Sequence, residues 1–233
     1  MSSSGRDYSW VHRHLEALGI GAMFAFSGGL AARAWLNFTG GAAPWVIAAA
    51  ALCGYIAADF VSGLVHWLAD RFGTPETPLI GPAFVRPFRE HHVDPEGITR
   101  HDFIETNGNN CLVSVPQLAL TFFLLDVYPG QHFRLFVLAF ILFLSNAVFA
   151  TNQFHKWAHM PNPPALARFL QRVHLIVSRS HHQIHHVSPF NTHYCITTGW
   201  LNVPLRKLKI FETLEAIFHA GKSSGQKMTG ARV

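Results

Sequence analysis

Four long apolar stretches limit what this chain can fold into more than any other feature. They run from about Leu15 to Trp35, Pro44 to Leu68, Cys111 to Tyr128 and Phe133 to Gln153. Each approaches the ~20 residues that cross a bilayer as a helix. In hydrocarbon the backbone must satisfy its own hydrogen bonds, so such segments fold as helices. Composition agrees, with 49% hydrophobic residues, 20 Phe and a mean hydropathy of +0.20. Charged residues make up only 13%, against roughly 25% in soluble domains. The sequence therefore predicts an all-α membrane protein with about four transmembrane helices.

The connections set an expected orientation. NFTGGAA and YPGQ, which link the first pair and the last pair of spans, are short and nearly free of Lys and Arg. The N-terminus, the segment from Ala69 to Asn110 and everything after Asn152 carry nearly all the basic residues. By the positive-inside rule, both termini and the middle loop face the cytoplasm, in a bacterial inner membrane or an ER membrane. Trp35, Trp45 and Tyr128 then mark the far interface. PPALARFLQRVHLIVSR and PLRKLKIFETLEAIFHAG read as interfacial helices on the cytoplasmic side, the second ending at Gly221. The expected organisation is an N-terminal cytoplasmic segment over 1–14, a multi-pass domain over 15–220 and a disordered tail over 221–233.

The net charge of +5 suits anionic lipid headgroups. The basic residues are not clustered with exposed aromatics, which argues against nucleic acid. Cys53, Cys111 and Cys195 stand singly, so neither a disulfide framework nor a thiolate zinc site is supported. The N-terminus lacks a cleavable signal pattern, and the first apolar segment is expected to direct insertion.

Histidine is unevenly distributed. HHQIHH packs four imidazoles into six positions, and almost all the others map to the cytoplasmic end of a span, His132 excepted. Packing histidines would not respect a membrane face. The spacing is equally pointed: His155 and His159 in HKWAH, and His66 and Asp70 in HWLAD, are four apart on a helix face. His182, His185 and His186 form HxxHH, expected on one side of a helix, and a Pro- and Gly-rich loop supplies His91 and His92. Four segments thus bring eight imidazoles and one carboxylate to one depth. A single interfacial histidine is ordinarily a satisfied polar residue, so His12, His14, His132, His193 and His219 carry no such weight.

Nine ligands exceed the three or four that one zinc ion takes, which implies two metals. Nitrogen-rich sites without thiolate suit iron, zinc or copper. A site at the mouth of a helical bundle receives an alkyl or acyl chain from the bilayer. Attack on an unactivated C–H bond needs a redox metal, which zinc is not. The sequence therefore points to paired iron.

The stretches ADFVSGLVHWLAD, GPAFVRPFREHHVDPEGITRHDFIETNGNNCL, TNQFHKWAH and SRSHHQIHHVSPFNTHYCITTGWLN resemble the Kua or plasmanylethanolamine desaturase family of membrane lipid desaturases. With the apolar segments between them, the likeness covers about residues 50 to 205. The resemblance implies a di-iron enzyme that uses O2 to convert the 1-O-alkyl chain of an ether phospholipid into a vinyl ether. Its ligands would be His66, Asp70, His91, His92, His155, His159, His182, His185 and His186. It also implies an external electron-donor protein of cytochrome b5 or ferredoxin type, since no haem or dinucleotide motif is present. RHDFIETNG and the positions of His174 and His181 match the ether-lipid branch rather than a plant branch that desaturates phosphatidylglycerol. His101, His174 and His181, with Asp70, thereby become candidates for catalytic or supporting roles.

Arg86, Arg89, Arg100 and Arg179 are candidates to hold the lipid phosphate. Two other readings stand beside this one. The first is acyl desaturation or hydroxylation on the same metals. The second is a non-catalytic metal-binding or transport protein, which would spread polar residues through the full depth of the spans, where Asp59 and Asp126 are the main candidates.

Overall fold

A computed structural model describes residues 10–38, 41–78, 81 and 85–218. Among these the chain is helical throughout: α1 (Trp10–Leu36), α2 (Ala43–Arg71), α3 (Arg86–Val93), α4 (Phe103–Leu124), α5 (His132–His159), α6 (Ala165–Arg172), α7 (Arg179–Gln183) and α8 (Asn202–Lys207), followed by a helix over 210–218. Three helices, α1, α2 and α5, are long and apolar enough to cross a membrane.

The third apolar stretch takes a different form from the one expected. Its helix, α4, begins at Phe103, eight residues before the apolar run, because Asp102 caps it. The Asp102 carboxylate accepts from Ile104 N and Glu105 N, both at 3.0 Å. The added turns carry Glu105, Asn107, Asn109 and Asn110, which lower the apolar content of this helix. Two of these amides bind within the bundle: Asn107 reaches Gln153 at 3.4 Å, and Asn110 donates to the Val148 carbonyl at 2.7 Å.

These contacts run in opposite directions along α4 and α5, so the two helices are antiparallel. Along α4 and α1 they run in parallel, from Gly19 beside Leu112 to Arg33 donating to the Leu125 carbonyl at 2.7 Å. An apolar core of Met23, Leu30, Cys111, Leu118, Leu135 and Leu138 fills the space between α1, α4 and α5. On α2, a Cβ at Gly54 would lie 2.9 Å from Leu144 N, so only glycine permits this approach to α5.

As a result α2 and α5 end at the same level, and α3 and α7 gather there. The expected loop around FREHH is the helix α3, with Pro87 in its first turn. The expected helix from Pro163 to Arg179 is a single short one, α6. It breaks after Arg172, where His174 adopts φ +57° and the chain turns to bury Ile176 and Val177. The second interfacial helix is likewise broken, at Lys209 with φ +52°. The expected cap at Gly221 and the tail beyond it lie outside the described residues.

Candidate metal centre

At this common level the nine expected ligands converge, in two adjoining groups. His91, His155, His159, His182 and His186 form one, and His66, Asp70, His92 and His185 form the other; within each, the ligand atoms lie within 4.8 Å of one another. The local sequence explains the sorting. The i,i+4 pairs stay together, His66 with Asp70 on α2 and His155 with His159 on α5. The adjacent pairs divide: His91 and His92 go to different groups, as do His185 and His186. HxxHH does not present one face, because α7 stops at Gln183 and His185 and His186 lie in the following turn.

In the five-histidine group, His155 Nε2 approaches His182 Nε2 at 2.8 Å and His159 Nε2 at 3.1 Å, and His186 Nε2 lies 3.0 Å from His182 Nε2. His91 Nε2 is buried without a hydrogen-bond partner among the described residues. Burial first, and neighbouring imidazoles second, hold His91 and His182 well below the ordinary histidine range and His186 down to about 3. Rings that stay neutral at pH 7 turn lone pairs toward one point. A metal about 2.1 Å from each nitrogen separates neighbours at right angles by about 3.0 Å, close to the spacing observed.

The second group fits a cation as well. His66 Nδ1 donates to the Tyr194 carbonyl at 3.1 Å and His185 Nδ1 to the Thr192 carbonyl at 2.8 Å. That tautomer leaves Nε2 as the lone-pair atom on each ring. Both Nε2 atoms are buried with no hydrogen-bond partner among the described residues, and each faces Asp70 Oδ2, at 3.5 and 3.4 Å. Asp70 Oδ1 lies 2.9 Å from His92 Nε2. The groups abut, with the His92 and His186 ring centroids 5.3 Å apart. Their donor sets thus suit two metal ions side by side.

The remaining candidates stand outside both groups. His181 Nε2 accepts from Asn202 Nδ2 at 3.0 Å, and its ring meets His193 at 5.2 Å. His174 is exposed, and its carbonyl accepts the Trp200 indole N–H at 2.6 Å. His101 lies 3.5 Å from Glu105, and its carbonyl accepts from Lys156 Nζ. Arg100 pairs with Asp94, and Arg179 donates to the His159 carbonyl at 3.0 Å, 3.8 Å from Glu96. Arg86 and Arg89 lie on α3 beside His91 and His92.

Sequence reasoning missed the residues that hold the ligands in place. Asp59, in the middle of α2 and fully buried, accepts three backbone N–H groups, from Thr198 (2.7 Å), Gly199 (2.9 Å) and Leu201 (3.0 Å). Ile196 N donates to Ser62 Oγ at 3.1 Å. These bonds fasten the segment that carries Tyr194, whose carbonyl fixes His66. A buried carboxylate in an apolar span was the available signal, and a lone Asp does not reveal its partners.

An all-helical bundle with long lipid-length helices, and buried histidine clusters at one end that could hold metal, defines a class of membrane protein with a candidate metal centre. A model of the lipid desaturase domain matches residues 55–227. The chain is 50% identical over 210 residues to the plasmanylethanolamine desaturase of Myxococcus xanthus, covering 90% of this chain and 73% of that one. It is 47% identical over 174 residues to plasmanylethanolamine desaturase 1 of Mus musculus, covering 70% of this chain and 62% of the mouse protein. It is 37% identical over 175 residues to the chloroplastic fatty acid desaturase 4 of Arabidopsis thaliana, covering 74% of this chain and 51% of that protein. No solved structure matches significantly. The chain belongs to the lipid desaturase family, and is an oxidoreductase.

Proposed function

We propose that this enzyme desaturates the 1-O-alkyl chain of a plasmanyl ether phospholipid at its first two carbons, giving the vinyl ether of a plasmalogen. The observation that carries this reading is the nine-residue donor set at the end of membrane-length helices, in a chain half-identical to a plasmanylethanolamine desaturase. His91, His155, His159, His182 and His186 would hold one iron, and His66, Asp70, His92 and His185 the other. Two bound irons supply activation of O2 for C–H cleavage. Overall, the lipid gives up two hydrogens and a donor protein of cytochrome b5 or ferredoxin type gives two electrons. With two protons these reduce O2 to two waters.

The protein's own groups set the conditions for that reaction. The Tyr194 and Thr192 carbonyls lock the tautomers of His66 and His185, and the Asp70 carboxylate offsets positive charge at its group. Burial of the rings keeps bulk water from the reacting carbons. His174 and His181 act through position, tying the chain near Trp200 and Asn202, and His101 does so through its carbonyl on Lys156. Arg86, Arg89, Arg100 and Arg179 form a positive rim that draws the lipid phosphate.

Helix directions support a four-span topology. Because α2 and α5 both end at the metal centre, the chain must recross the bundle between them, and α4 is the segment that does so. Its 22 residues span about 33 Å, enough for a hydrocarbon core of about 30 Å. We read α4 as the fourth span of a single multi-pass unit over 15–220, with the centre and both termini cytoplasmic in a bacterial inner membrane or an ER membrane.

Acyl-chain desaturation is the second reading, supported by the 37% identity to the Arabidopsis protein. Lipid mass spectrometry on cells that hold alkyl ether phospholipids but no plasmalogens separates the two. Expression should yield a species two hydrogens lighter, acid-labile at the sn-1 chain and missing with His182→Ala. Unchanged alkyl lipids with a newly unsaturated acyl chain would establish the second reading instead.

A further inference from the structure

The last turn of α2 serves two sites. His66 and Asp70 face the metal group. Trp67 and Arg71, each one residue further on and so rotated by about 100°, line a separate cavity of about 350 Å³. Tyr194, Phe211, Glu212 and Glu215 line it as well. Tyr194 is the partition between the two: its ring lies 5.3 Å from that of His185 on one side and 5.2 Å from that of Phe211 on the other.

The chemistry of this wall is specific. Trp67 is 1% exposed, and its indole N–H has no acceptor among the described residues. A buried donor seldom goes unpaired, so this one calls for an acceptor beyond the described residues. Arg71 gives Nε and Nη2 to Glu215, with the shortest contact 2.6 Å, and this leaves the Nη1 edge of the guanidinium for a second anion. Glu212 is exposed on the same wall. One cation, an orphan donor, carboxylates and aromatic faces together complement a small zwitterion that joins an anion to an ammonium group.

The depth is that of lipid headgroups. Arg71 closes a membrane-length helix, and the helix over 210–218, which lines the cavity through Phe211, Glu212, Glu215 and Ala216, exposes the side chains of Ile217 and Phe218. Phe218 packs on Phe72 and Trp67, with ring centroids 5.3 and 6.2 Å apart.

We propose that this cavity is the headgroup site for the phosphoethanolamine zwitterion of the lipid substrate, an assignment that rests on the ether-phospholipid reading above. Arg71 and the Trp67 N–H hold the phosphodiester, and Glu212 with the aromatic walls holds the ammonium. The glycerol and ether linkage then pass Tyr194, placing the first alkyl carbons at the metal centre. The rim of Arg86, Arg89, Arg100 and Arg179 attracts the lipid, and the cavity selects its headgroup.

The test uses the purified full chain in detergent. Native mass spectrometry reads binding of plasmanyl lipids that differ only in headgroup, ethanolamine against glycerol, and vinyl ether formation is measured on the same samples. The wild type should favour ethanolamine by about tenfold, equivalent to 1.4 kcal/mol. Glu212→Gln should shrink that ratio to within about twofold, and Glu212→Lys should invert it toward the anionic glycerol headgroup. Trp67→Phe should weaken both lipids together. A Glu212→Lys protein that kept the wild-type preference would overturn the assignment. So would chain-free glycerophosphoethanolamine binding as tightly as the lipid, which would mark a site for a soluble ligand. Headgroup preference without vinyl ether defeats the reaction and keeps the site, whereas vinyl ether without preference does the reverse.

Discussion

Asp70 Oδ1 on α2 lies 2.9 Å from His92 Nε2 on α3, across a sequence separation of 22 residues. The same carboxylate faces the Nε2 atoms of His66 and His185, whose Nδ1 atoms are already committed to backbone carbonyls. Asp70 therefore meets the lone-pair side of its neighbours rather than orienting a ring from behind, which favours a ligand role. Asp70→Asn preserves the shape and removes the charge. Vinyl ether formation should fall by at least about 100-fold, more than supporting residues usually cost. Retention of a tenth of wild-type activity would contradict this role.

Asp59 provides a stability prediction. Its three backbone donors become buried and unpaired in Asp59→Ala, which should cost about 3 kcal/mol. Asp59→Asn keeps an acceptor and should cost less. Thermal unfolding in detergent, followed by circular dichroism, ranks the two variants against the wild type. Equal melting temperatures for wild type and Asp59→Ala would refute the anchoring role.

His181 sits beside the candidate ligand His182 in sequence yet is bonded to Asn202 rather than to either group. His181→Ala should retain the full metal content of the wild type while losing about 1 kcal/mol of stability, the usual effect of one hydrogen bond. Metal analysis of the purified variant checks this, and a halved metal content would make His181 a ligand.

His193 is buried, and burial, with His181, Arg206 and His185 adding to it, pushes its ring down to about 4 from the ordinary 6.5. The unfolded chain takes up a proton below about 6.5, whereas the folded chain resists until about 4. This contribution to stability is complete above about 6.5 and is lost as the pH falls toward 4. Melting temperatures at pH 7.5 and 5.0 should differ more for the wild type than for His193→Gln, which does not titrate. An identical pH dependence in the two proteins would exclude His193 as a source of the effect.

The clustering of the nine candidate ligands was legible because helical spacing writes itself into sequence. HxxxD and HxxxH each place two donors on one face, and repetition at one membrane depth made coincidence implausible. What spacing hid was the division of HH and HxxHH between two groups, which depends on α7 ending at Gln183 and on the rotation of α3. The helix breaks at His174 and Lys209 were equally hidden, since left-handed backbone at a non-glycine residue leaves no compositional mark. The early start of α4 was signalled by Asp102 as a cap, but hydropathy alone begins that helix at Cys111. Tyr194, Thr192 and Asp59 act through backbone groups brought together by the fold, and no local pattern announces them.

Two iron sites within one buried cluster can be counted on the purified protein. The wild type should carry two irons per chain by inductively coupled plasma mass spectrometry. His155→Ala and Asp70→Ala, one from each group, should each lower that number toward one. A wild type saturating at a single metal, or binding zinc in place of iron, would contradict the account.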